Sequence, residues 1–362
     1  MEENRRGFIL SAAEAPIAKA PPKCKVVNEQ NQKQTVISEG DPGLIKIYML
    51  LRPTAEYTNL QPEPSIYTWI SLETIYPGGR IDEFYFNYNA EIPVYDHVSY
   101  LTSGRVRVTY GDQEKTVGPD TLCYFPSNLK YSLTNVGKWP ANFVNVNTQD
   151  AGKKMGEPVY TKMPTWIGEP KRKSTVTKKQ LEQVINEGNR KGFILPAVQV
   201  MPSEFPNKVT ILDKKGRIQI VKREGNPKLW LEIRPLLSTA TEFIKRQPGP
   251  SIHTSMTLEK MRPGGCINEH YHEHNAKMPV FDHLFYVLSG RMRATIGDIE
   301  QIVGANTLIY CPSNFRHSLS NIGKGIAKYL TIKGTAKAAK MGEPIYLKMP
   351  TWHQVPGVDK RK

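Results

Sequence analysis

PGGRIDEFYFNYNAEIPVYDHVSYLTSGRVRV at residues 77–108 returns as PGGCINEHYHEHNAKMPVFDHLFYVLSGRMRA at residues 263–294. Working outward, three more segments return with it. NRRGFIL at 4–10 becomes NRKGFIL at 189–195, and PSNLKYSLTNVGK at 126–138 becomes PSNFRHSLSNIGK at 312–324. MGEPVYTKMPTW at 155–166 becomes MGEPIYLKMPTW at 341–352. The copies lie about 185 residues apart, far beyond a solenoid period, so the chain is a duplicated domain. Within each copy, short period-2 segments rich in Val, Ile, Tyr and Thr alternate with turn residues every eight to twelve positions, which predicts an all-β sandwich or barrel.

The division that follows is a first domain over 1–170, a basic linker over 171–188 and a second domain over 189–362. In the linker, Thr177 and Gln180 fit a capping box, Leu181, Val184 and Ile185 form one apolar stripe, and Gly188 stands at a C′ position, so a short helix is predicted there. Each of the two domains is long enough for a core of its own.

The chain carries 49 Lys and Arg against 34 Asp and Glu, a net charge of +15. The cations are scattered, and runs such as Lys171–Lys173 and Lys360–Lys362 read as solvated linker and tail. Neither a nucleic acid nor a membrane is expected as partner, and the field suits steering of a small anion. The four cysteines show no CxxC and no disulfide framework, and no apolar run reaches membrane-span length. These features lead us to expect a cytoplasmic protein, with self-association as the one macromolecular contact left open.

Six of the eight histidines fall between 253 and 317. Along a strand, residues i, i+2 and i+4 share a face, so His270, His272 and His274 can point one way. His283 opens the next strand, and His317 follows a Pro-Ser-Asn turn. Imidazoles gathered from several strands are how a barrel builds a metal site.

Gly264 followed by His270-Tyr271-His272 resembles the first motif of the cupin superfamily, and Pro312-Ser-Asn-Phe-Arg-His317 resembles the second. The glutamate ligand usual in that family stands seven residues before the glycine closing its strand. Here that position, counted back from Gly290, is His283. Asn314 replaces the usual glycine, and asparagine tolerates the left-handed geometry needed there. The resemblance covers both copies. It implies two tandem cupin (double-stranded β-helix, jelly-roll) barrels, with short helices only in the linker and termini. It also implies one divalent transition metal per chain on His270, His272, His283 and His317, with His274 as alternate. Fe(II) is favoured, and Mn(II), Ni(II), Cu(II) or Zn(II) also suit imidazole.

The first copy is an internal control. His270, His272, His274 and His317 correspond to Phe84, Phe86, Tyr88 and Tyr131, and only His283 keeps its partner, His97. The first barrel therefore has no ligand set. His253 and Ser255 correspond to Tyr67 and Trp69, which places both on the second cavity wall. His253 and His274 are the candidate proton carriers, and Ser255, Tyr286, Tyr310 and Arg316 the candidate substrate contacts. Tyr286 and Tyr310 recur as Tyr100 and Tyr124, a reason to assign them to packing, and strand alternation turns Arg316 away from His317.

Four neutral histidines leave a divalent ion its full charge, which favours an anionic oxygen ligand. The expected activity is a metal-dependent dioxygenase acting on a diphenol, diketone or keto acid. A cupin lyase, isomerase or decarboxylase is the alternative, and a non-catalytic metal or ligand binder is the third.

Overall fold

In a computed structural model, the described residues are 8–11, 23–27, 33–37, 44–51, 65–86, 95–149, 158–160, 172–175, 193–200, 208–212, 215, 217–222, 231–239, 251, 253–273, 281–336 and 344–347. The first copy contributes β1 (Phe8–Ser11), β2 (Lys23–Val27), β3 (Lys33–Ile37), β4 (Ile45–Leu51), β5 (Thr68–Ile75), β6 (Arg80–Phe86) and β7 (Tyr95–Ser103). It continues with β8 (Val106–Tyr110), β9 (Gln113–Val117), β10 (Thr121–Pro126), β11 (Tyr131–Asn135), β12 (Ala141–Gln149) and β13 (Pro158–Tyr160). Strand β14 (Arg172–Thr175) falls between the copies. The second copy contributes β15 (Phe193–Pro196), β16 (Lys208–Leu212), β17 (Ile218–Lys222), β18 (Leu231–Leu237), β19 (Thr254–Met261), β20 (Cys266–His272) and β21 (Phe281–Ser289). It ends with β22 (Met292–Ile296), β23 (Ile299–Val303), β24 (Thr307–Pro312), β25 (His317–Asn321), β26 (Ala327–Thr335) and β27 (Pro344–Tyr346).

These strands form two all-β jelly-roll barrels, as the repeat predicts. The first packs sheet β15-β10-β7-β12-β5-β4 against β14-β3-β2-β13-β6-β11-β8-β9. The second packs β1-β24-β21-β26-β19-β18 against β17-β16-β27-β20-β25-β22-β23. The repeated FIL strands are exchanged: β1 pairs with β24 of the second barrel and β15 with β10 of the first. The repeated tails close the larger sheets, β13 lying between β2 and β6 and β27 between β16 and β20.

Strand alternation gives each six-stranded sheet two buried faces. The inner faces fill their own barrels, where Phe285, Val287 and Tyr329 belong to the second core. The outer faces meet between the barrels, so that Val98, Tyr100 and Val146 share one cluster with Leu284, Tyr286 and Ile332. Burying such side chains contributes about 1.5–3 kcal/mol each. The faces approach so closely that a Cβ on Gly334 would lie 2.0 Å from Thr68 Oγ1.

Two fully buried carboxylates cross this interface reciprocally. Asp282 of β21 accepts the backbone N–H groups of Ile66, Tyr67 and Thr68 at 2.9, 2.6 and 3.0 Å, and the Tyr310 hydroxyl at 2.9 Å. Asp96 of β7 accepts those of His253 and Thr254 at 2.6 and 3.0 Å, and the Tyr124 hydroxyl at 2.7 Å. Successive N–H groups converging on one carboxylate form an anion nest. At the rim, Lys328 of the second barrel pairs with Asp120 of the first.

Between the copies, the expected loop is partly a strand. Residues 172–175 pair with β3, from Arg172 opposite Ile37 to Thr175 opposite Gln34. Cations suit such a sheet edge because they discourage pairing with another chain. The helix predicted over 177–188 lies outside the described residues. Among those described, the helical element is a 3₁₀ turn at Ala197–Gln199, and no helix is long and apolar enough to cross a membrane.

Replacing Asp282 by Ala strands three buried N–H groups and a hydroxyl. The expected loss is about 3–5 kcal/mol of unfolding free energy, read from urea titration, with Asp282→Asn losing less because one acceptor oxygen stays.

Candidate metal centre

The second barrel brings four histidines together from its two facing sheets. His270 and His272 lie on β20, and His317 opens β25 directly opposite His270. His283 comes from β21 across the interior. Ring centroids are 4.2 Å apart for His270 and His317, 4.8 Å for His272 and His283, and 5.0 Å for His283 and His317. A register shift in β20 between Ile267 and His270 precedes the cluster. The first barrel has the same shift with Phe84 opposite Tyr131, so the bulge belongs to the fold and the histidines exploit it. Asn314, in the turn before His317, has φ +62°, the left-handed conformation expected of it.

All four rings are 2–4% exposed. His270 and His317 each hold their Nδ1 2.9 Å from the carbonyl two residues back, Asn268 and Phe315 respectively. That bond makes Nδ1 the donor and leaves Nε2 as a lone-pair ligand. Nε2 of His317 and both ring nitrogens of His283 are buried without a hydrogen-bond partner. Orphaned polar atoms cost about 1–3 kcal/mol each, and a cation satisfies one nitrogen of each ring that it takes. Candidate ligand atoms of His270, His272 and His317 lie within 4.8 Å of one another, a group of three that does not take in His283. Two imidazole nitrogens about 2.1 Å from one ion are at most about 4.2 Å apart, so a small closing of these three rings brings them to ligand distance. The residues present therefore fit a divalent transition metal.

Burial keeps His270, His283 and His317 neutral, the form that binds metal. Burial lowers His270 and His283 well below the usual range, with neighbouring histidines and Lys333 adding to it. Burial pushes His317 down to about 4, against the opposing Phe315 carbonyl bond. Lys333 stands on β26 directly opposite His283. Its own pKa is lowered by burial, against the opposing charge of Glu259.

The first barrel shows what removes such a site. Phe125 stacks on Tyr131 at 3.9 Å, and Phe84 packs 4.5 Å from Tyr131. His97, the one histidine kept, has Nδ1 bonded to Asn147 Oδ1 and Nε2 to Ser99 Oγ at 3.1 Å. In the second barrel those partners are Lys333 and Phe285, neither of which can accept from an imidazole. The nitrogens of His283 are thus free because two neighbours changed. Counting histidines does not show this; reading the repeat at 99/285 and 147/333 would have. Glu259 was missed too, because its counterpart Glu73 makes it look structural.

The other expected site residues scatter. Tyr286 and Tyr310 lie on the opposite face of the sheet from His283, in the core between the barrels, and their hydroxyls donate to Asn306 and Asp282. Both pack in that inter-barrel core, Tyr286 because even-numbered β21 positions point outward and Tyr310 from β24 beside it. Arg316 is exposed on the outside, its charge acting on Tyr271. Ser255 is half-buried opposite Lys333, and its Oγ accepts Thr239 N–H at 3.4 Å. His253 is buried at the barrel interface, its N–H on Asp96 and its Nδ1 3.0 Å from the Thr335 carbonyl. His274 lies outside the described residues.

Residues 257–333, the strands around this cluster, match the cupin domain model. The cupin match thus falls on the second barrel, and the first shares its jelly-roll strand order through the repeat. Oxalate decarboxylase from Bacillus subtilis superposes with TM-score 0.53 at 14% identity, over 96% of this chain and 79% of that one. A variant of the same enzyme gives 0.53 at 14% identity over 96% and 81%. A protein named as glyoxylate-induced from Pseudomonas aeruginosa gives 0.49 at 13% over 81% and 80%. At this identity the likeness concerns the fold. No curated protein matches the chain in sequence.

His317→Ala should reduce bound metal from one ion per chain to near zero by elemental analysis, and His97→Ala should leave it unchanged. Burial also pushes His97 down to about 4. Unfolded histidine titrates near 6.5, so between about 6.5 and 4 the unfolded chain binds more protons and acid favours unfolding. The metal-free protein should therefore lose up to about 3 kcal/mol for each of His97 and His317 across that window, with a flat urea midpoint above it. A midpoint constant down to pH 4 would contradict the neutral-histidine assignment.

Proposed function

We propose that this protein is a metal-dependent cupin enzyme whose second barrel acts on a small anionic, oxygen-chelating substrate with dioxygen as co-substrate. The observation that carries this reading is the set of four buried imidazoles, three of them held neutral by burial, with both nitrogens of His283 unpartnered. When bound, a divalent ion supplies Lewis-acid polarisation of a coordinated oxygen and a template for the reactants. Neutral ligands do not offset its charge, so an enolate, catecholate or carboxylate is favoured over a neutral ligand. The carbonyls of Asn268 and Phe315 hold His270 and His317 in the binding tautomer. Phe281 packs on His272 at 5.5 Å and Phe285 on His283 at 4.5 Å, which keeps water off the flanks of the cluster.

A redox-neutral carbon–carbon cleavage such as decarboxylation is the second reading. It is favoured by Glu259, a buried carboxylate on the inner face of the same sheet, a candidate proton carrier.

Oxygen uptake by metal-loaded protein against diphenols, diketones and keto acids separates the two. Oxygen consumed in step with substrate supports the dioxygenase. Equal turnover with carbon dioxide release under strict anaerobiosis selects the second reading, and binding without turnover leaves a metal-dependent binder. His283→Glu should retain metal and weaken the anionic substrate by about tenfold or more, because one negative charge is added within ligand distance of the ion.

A further inference from the structure

On the inner face of the second six-stranded sheet, side chains form rows across β19, β26 and β21. Ser255, Lys333 and His283 make one row, Thr257, Thr331 and Phe285 the next, and Glu259, Tyr329 and Val287 the third. Directly opposed residues have Cβ atoms about 5 Å apart on one face, so Lys333 stands beside His283 on the metal side of the sheet. Its charge reaches His270, His283 and His317.

Lys333 has no carboxylate within ion-pair distance among the described residues. The carboxylate acting on it is Glu259, held away by Thr257 Oγ1 at 2.9 Å and Thr331 Oγ1 at 2.7 Å, both on Oε1. The side chain is half-buried, unlike the histidines around it. The first barrel has Asn147 in this place, bonded to His97. A cation is therefore specific to the barrel with the histidine cluster, where the proposed ion would already leave uncompensated positive charge. Two positive centres in one desolvated space are costly unless an anion lies between them.

We propose that Lys333 is the second anchor of the substrate and sets its class. One oxygen donor goes to the histidine-held ion, and an anionic oxygen group on the same small molecule goes to the Lys333 ammonium. The substrate is then a dicarboxylate or a keto or hydroxy acid rather than a simple diphenol. This assignment rests on the metal-dependent reading above and narrows it.

The test is calorimetric titration of the Co(II)-loaded full chain with malonate and with acetate, alongside metal content. Wild type should bind malonate at least about tenfold tighter than acetate. Lys333→Met should lose that preference while keeping one ion per chain and its acetate affinity, and Lys333→Arg should retain it. Lys333→Asn copies the residue that the first barrel accommodates here, and carries the comparison should the Met variant not fold. Preference for malonate surviving in a metal-replete Met or Asn variant, or absent from wild type, overturns the anchor and leaves the metal site standing. Wild type that takes up no metal overturns both.

Discussion

Asp96 and Asp282, two carboxylates with no exposed surface, set where every other inner group can stand. Each is caught by consecutive N–H groups of the opposite barrel and by a tyrosine hydroxyl of its own. A buried carboxylate keeps these donors because losing them strands a charge out of water. Each aspartate precedes a histidine, and in a strand neighbours point to opposite faces. Once Asp282 is pinned outward at the interface, His283 must point into the barrel. A slip of one residue would put the carboxylate among the imidazoles and the imidazole against the other barrel.

The same pleat separates two tasks. Outer faces, carrying Leu284, Tyr286 and Ile332, build a core shared by both barrels. Inner faces carry whatever each barrel holds. The shared core does not depend on inner residues, so His270, His272 and His317 could stand as Phe84, Phe86 and Tyr131 in the other copy without changing sheet order or bulge.

Much of this was legible in the sequence. The repeat fixed two barrels, and period-2 reasoning placed His270 and His272 on one face with His317 converging on them. Positions with no periodic mark were not legible. Tyr286 and Tyr310 were suggested as cavity residues although alternation from His283 already sends Tyr286 outward. Strand exchange left no trace, because FIL reads the same whichever barrel it joins. Lys333 lies fifty residues beyond His283, and only the hydrogen-bonded register sets the two side by side.

That register also explains why the two copies differ in more than ligand identity. In the first barrel, Asn147 and Ser99 satisfy both nitrogens of His97, and stacked rings fill the space beside it. Such stacking contributes about 0.5–1.5 kcal/mol beyond burial, so the space beside His97 is filled by side chains. In the second barrel, His283 has lost both partners and Lys333 brings charge where Asn147 brought an acceptor. Each change costs stability when the barrel is taken alone, through an unsatisfied nitrogen in one case and a desolvated cation in the other. Under the proposed reading, both costs would fall with a metal ion on one of those nitrogens and an anion against the lysine. The two copies thus differ at the retained histidine itself: His97 is held by its own neighbours, and His283 is not.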